Sequence, residues 1–61
     1  MIEYYLLLML ERGVVNLGPM PMGACVTNGQ RITVENQRQR AAGEDPTYRG
    51  FIRAHCERIE R

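Results

Sequence analysis

A chain of 61 residues holds one domain at most, and a domain of that size hides only about 60 % of the surface its unfolded chain exposes. Eight bases against seven acids give a net charge of +1, which excludes a global electrostatic commitment to nucleic acid or to an acidic membrane. Every base is arginine, and the chain has no lysine, serine or tryptophan. A GC-rich coding genome accounts for that bias as a whole, while individual planar guanidinium groups suit interfaces.

The first apolar run, IEYYLLLML, is too short to cross a bilayer, which takes about 20 apolar residues. Residues 2–11 alternate, with Ile2, Tyr4, Leu6, Leu8 and Leu10 on one side and Glu3, Tyr5, Leu7, Met9 and Glu11 on the other. Arg12-Gly13 follows as a two-residue loop, and Val14-Val15-Asn16-Leu17 is rich in strand formers before Gly18-Pro19. The first 18 residues therefore read as a hairpin over about 2–18. With the turn at Arg12-Gly13, Leu10 faces Val15 and Leu8 faces Leu17, so Leu6, Leu8, Leu10, Val15 and Leu17 share one apolar face. Tyr5, Leu7, Met9, Val14 and Asn16 fall on the other, which is more apolar than a solvated face should be.

Gly18-Pro19-Met20-Pro21-Met22 is an extended connector, since a residue preceding proline is driven out of the helical region. A helix over about 21–42 follows. Met22, Cys25, Val26, Gly29, Ile32, Thr33 and Asn36 recur at helical spacing, with Gln30, Arg31, Glu35, Gln37 and Arg38 outward. Gly29 on the inner face predicts a close approach to the sheet, and Gly43 a C-terminal stop. No Ser, Thr, Asp or Asn stands at the helix start.

Residues 47–59 admit two readings. As a helix begun at Asp45-Pro46, the segment places Tyr48, Phe51, Ile52, His55, Cys56 and Ile59 on one stripe. As a strand, it sends Tyr48, Gly50, Ile52, Ala54 and Cys56 inward and Arg49, Phe51, Arg53, His55 and Glu57 outward. A bare hairpin is marginal in water, and a third strand completes a sheet beneath one helix. The predicted fold is a single α+β domain of ββαβ order, with a β-hairpin plus two helices as the alternative.

Cys25 and Cys56 allow one disulfide. No secretory signal is visible before them, so a cytoplasmic chain with two small buried thiols is the expectation, the disulfide being the alternative. For catalysis, His55 and Cys56 are neighbours, and on a strand they point to opposite faces. Cys25, His55 and Cys56 lack the paired spacing of a zinc site. The expectation is no enzyme, no metal and no cofactor.

The order of apolar strand, short turn, V-V-N-L-G-P, a helix carrying A-C and a closing R-A-H-C resembles short proteins encoded by bacteriophages and prophages. Proteins of that kind look like ββαβ miniatures that act by binding, and some are anti-CRISPR or other anti-defence inhibitors. The resemblance implies a host protein or ribonucleoprotein as target, in the cytoplasm of a bacterial host.

The residues themselves point to protein binding through the second sheet face, Tyr5, Leu7, Met9 and Val14. Covering about 300 Å² of it would contribute on the order of 7 kcal/mol before association costs. Two sheets packed face to face in a homodimer are the economical solution. Arg31, Glu35, Arg38, Arg49, Arg53 and Glu57 then form the polar contact surface. The competing reading is a small nucleic-acid-binding protein: from residue 31 onward seven arginines meet five acids, with Tyr48 and Phe51 to stack on bases. The interleaving of the acids with those arginines is the pattern of a solvated, salt-bridged surface.

Overall fold

The computed structural model describes residues 2–60. Its elements are β1 (Tyr4–Leu10), β2 (Gly13–Met20), α1 (Met22–Ala41) and β3 (Phe51–Arg58). The three strands make one antiparallel sheet in the order β2-β1-β3, so the first strand of the chain is the central one. This is a small α+β fold of ββαβ order, and the closing segment is a strand. α1 packs mainly on β3 and then on β1. The helix thus fills one face of the sheet only.

Alternation in β1 decides what the helix covers. Leu6 and Leu8 are fully buried with Cys25, and Tyr4, Leu10, Val15, Met20, Ile32 and Phe51 pack around them. Each leucine so buried contributes about 1.5–3 kcal/mol. The approach of α1 is set by Gly29, where an added Cβ would stand 3.3 Å from the Ala54 Cβ and 3.5 Å from the Leu6 Cδ1. The predicted close contact is therefore present, with a small residue on each side of it.

The hairpin register differs from the expected one. Glu11 and Arg12 form the loop, Leu10 pairs with Gly13, and Leu8 pairs with Val15. Neither loop residue takes a positive φ, so the primed turns that match strand twist are not used, and Gly13 at φ +152° makes the correction instead. A bulge follows at Leu17-Gly18, opposite Leu6, where Asn16 Oδ1 accepts a 2.8 Å hydrogen bond from the Gly18 N–H. Beyond it the pairing shifts by one residue, which brings Met20 rather than Leu17 to the core; Leu17 is exposed.

A second bulge makes the same correction in β3. Met9 pairs with Arg53 but Leu10 with Phe51, leaving Ile52 as the extra residue. Phe51 turns in and Ile52 turns out, the reverse of the expectation from strict alternation. Ala54 and Cys56 do face the core, and Tyr48 reaches it from the preceding loop.

The helix begins at Pro21, which is extended and offers no side-chain cap, and the Cys25 N–H makes the first turn's bond to the Pro21 carbonyl at 2.9 Å. It ends in a Schellman motif, with the Gly43 N–H on Arg40 O at 3.2 Å and the Glu44 N–H on Gln39 O at 2.9 Å. Met22 and Val26, expected on the inner stripe, are exposed, because α1 turns Cys25, Gly29 and Asn36 toward the sheet. Asn36 is the buried polar residue, and its Nδ2 donates to the Tyr48 carbonyl at 3.3 Å. The Thr47 N–H donates to Gln39 Oε1 at 3.0 Å, so two helix side chains hold the loop that delivers β3.

Cys25 and Cys56 form a disulfide, with their Cα atoms 6.1 Å apart. The expectation of two thiols is corrected here. Strand alternation puts Cys56 on the core side beneath the first turn of the helix, and that is where Cys25 points.

Candidate binding face

Directly paired residues of neighbouring strands share a face. Tyr5 pairs with Pro19 and Glu57, Leu7 with Asn16 and His55, and Met9 with Val14 and Arg53. These nine side chains make the face of the sheet turned away from α1. Among the described residues no element covers it. Tyr5, Leu7 and Met9 are half-buried by their neighbours, whereas Val14 stands 58 % exposed at the edge.

The face has a chemical gradient along β3. Arg53 lies at one end, Glu57 at the other, and His55 between them, its Nε2 2.7 Å from Glu57 Oε2. The centre is apolar, the β2 flank mixed and the β3 flank charged.

The four apolar residues expected at an interface thus come together on one face. The six polar ones do not. Arg53 and Glu57 belong to the open sheet face, while Arg31, Glu35 and Arg38 lie on the helix. Arg38 pairs with Glu35 three residues back and reaches Glu44 at 3.5 Å. The hydrogen bond from Arg38 holds the Glu35 carboxyl below its ordinary pKa, and the same partner raises that of Arg38. Arg49 sits in the loop at 3.9 Å from Asp45. The helix set is therefore engaged largely with its own acids.

His55 faces the open side and Cys56 the core, which separates the ring from the sulfur. Among the described residues, no group of three or more His, Cys, Asp or Glu side chains is arranged to hold a metal ion.

On the other side of the sheet, a cleft of about 340 Å³ opens between α1 and β3, lined by Val26, Gly29, Gln30, Val34, Ala54 and Cys56 among others. No residue of β1 or β2 lines it, so it opens toward the outer edge of β3. Exposed Val26 and Val34 were not singled out as a surface in the sequence, although Met22, Val26, Gln30 and Val34 are spaced four apart and make one helical ridge.

Comparison with family models, with curated proteins and with solved structures finds no match for the chain.

Proposed function

We propose that this chain is a binding protein that acts by obstruction, as a homodimer, and that the open sheet face engages a protein surface of its target. The observation that carries the reading is the uncovered row Tyr5, Leu7 and Met9 with Val14 beside it. An apolar patch of this kind on a small chain supports an interface, and the charged rim of Arg53 and Glu57 gives it orientation. By resemblance to short phage proteins, the target is a host protein or ribonucleoprotein of a defence system, and the chain an anti-CRISPR or related inhibitor.

Nucleic acid is the weaker fit, because Arg38 is matched by Glu35 and Glu44 and Arg49 by Asp45. The chain as a whole carries a net charge of only +1, a small excess for counterion release.

Phage plating on bacteria carrying active CRISPR systems tests the reading. The wild-type chain should restore plating by at least about tenfold on one of them, and Leu7→Glu, checked for fold by circular dichroism, should lose that effect. Equal effects of the two chains would remove the open face from the mechanism. Retention of the chain on DNA or RNA at low salt, lost at physiological salt, would favour the nucleic-acid reading instead.

A further inference from the structure

The sheet has two edges, and they differ. β2 is blunted by Pro19, which has no N–H to give, and by the bulge at Leu17-Gly18. β3 carries no proline, its pairing with β1 is regular from Arg53 to Arg58, and among the described residues nothing pairs with its outer side. Directly above that edge lies the cleft between α1 and β3, with the ridge Met22, Val26, Gln30 and Val34 along the helix. Its three apolar members are 57 %, 44 % and 62 % exposed. A free strand edge and an uncovered apolar helix flank stand together.

We infer that a second copy of the chain pairs with the outer edge of β3 about a twofold axis at His55, joining two three-stranded sheets into one and seating its α1 against the ridge of the first. The inference rests on the homodimer reading above and places the second copy beside the sheet, which leaves the open face to the target in place of the face-to-face packing expected from the sequence.

Symmetry and charge fix the register. Hydrogen-bonded and non-hydrogen-bonded pairs alternate along an antiparallel ladder, so a twofold axis can stand only where a residue meets its own copy. Centring on Arg53 or on Glu57 opposes like charges. Centring on Ala54 sets Phe51 against the second copy's Glu57 and Arg53 against its His55, and centring on Cys56 keeps a His55–Glu57 pairing but sets Arg53 against Ile59. Centring on His55 sets Arg53 against the second copy's Glu57 twice over, and Ala54 against Cys56, two small residues on the helix side.

The helix supplies an independent coincidence. Cys25 is bonded to Cys56 and Gly29 touches Ala54, so the level of His55 along α1 lies between positions 25 and 29. The exposed ridge runs from 22 to 34 and is centred on position 28, close to that level. Spacing agrees as well. With strands about 4.8 Å apart and α1 above β3 and β1, each helix axis lies about 5 Å from the twofold axis. Two such helices stand about 10 Å apart, the separation of packed helices. In this arrangement both open faces lie on the same side of the continuous sheet, and the surface offered to a target doubles.

Sedimentation at tens of micromolar tests this on the full chain, with circular dichroism to confirm folding of each variant. The wild type should run at twice the 7.0 kDa chain mass. Arg53→Glu and Glu57→Arg should each weaken the dimer at least about tenfold, and the double reversal should restore it. Val34→Glu should give monomer, and Leu7→Glu should leave the dimer intact. A wild-type monomer would overturn the inference together with the homodimer reading. A dimer lost with Leu7→Glu but kept with Val34→Glu would overturn the edge placement and leave a face-to-face homodimer standing.

Discussion

Gly29 shows how one missing side chain sets the spacing of two layers. In an exposed helix glycine costs about 1 kcal/mol relative to alanine. Here an alanine Cβ would meet the Ala54 Cβ at 3.3 Å, tight enough to cancel most of that gain, so Gly29→Ala should leave the urea midpoint nearly unchanged. Gly29→Val puts a branched Cβ at the same tight contact and adds two methyl groups to it, and should cost about 1–3 kcal/mol, read as a lower midpoint with circular dichroism. A valine variant as stable as wild type would show that α1 can lift from the sheet freely. The constraint was legible in the sequence, because a glycine at an inner helical position weakens the helix unless a neighbouring layer comes too close for a side chain. The outward turn of Leu17 and Ile52 was not legible. Both depend on bulges, and a bulge shifts the side-chain phase by one residue without altering the composition that alternation is read from.

At the scale of elements, the disulfide ties the first turn of α1 to the far end of β3 across 31 residues of sequence. The chain-entropy model assigns about 3.7 kcal/mol to a closed loop of that length. Total stability for a chain this short is on the order of 3–9 kcal/mol, so the bond accounts for a large share. Cys25→Ala with Cys56→Ala should lower the unfolding free energy by about 3 kcal/mol, and adding reductant should move the wild type toward the double variant while leaving that variant unmoved. Identical melting of the two proteins without reductant would show that the bond does not form. Pairing of the cysteines follows from helix phase and strand phase taken together. The sequence supplies each phase singly, and only the packed geometry says that they meet. The strand at β3 had the same ambiguity: the segment's periodicity also fits a helix, and it is the demand of β1 for a second neighbour that decides. For the candidate site, the apolar row of β1 was legible from alternation, whereas the placing of Arg53 and Glu57 on its rim required the sheet order.

Across the whole molecule, the Cα positions span 42 × 22 × 12 Å, the proportions of one sheet with one helix on it. Two layers leave the outer face of the sheet without a third. The same economy explains why residues far apart in the chain close the structure: the Ile59 N–H donates to the Glu3 carbonyl at 3.0 Å, so both ends of the described chain lie at one end of the sheet. A short linker could join them, and the loop at 44–47 offers a place to open the chain anew. In that circular permutant the order along the chain becomes β3, β1, β2, α1. Sequence order then equals spatial order, and the sheet becomes a meander whose strands each pair with the next. Most of the long-range closure is replaced by local pairing, so the permutant should refold faster than the parent in stopped-flow measurements, at comparable stability. Equal rates would mean that docking of the helix, rather than the arrival of the third strand, limits folding. The central position of the chain's first strand is thus a matter of tempo as well as shape, since the sheet cannot close until its most distant partner has come back.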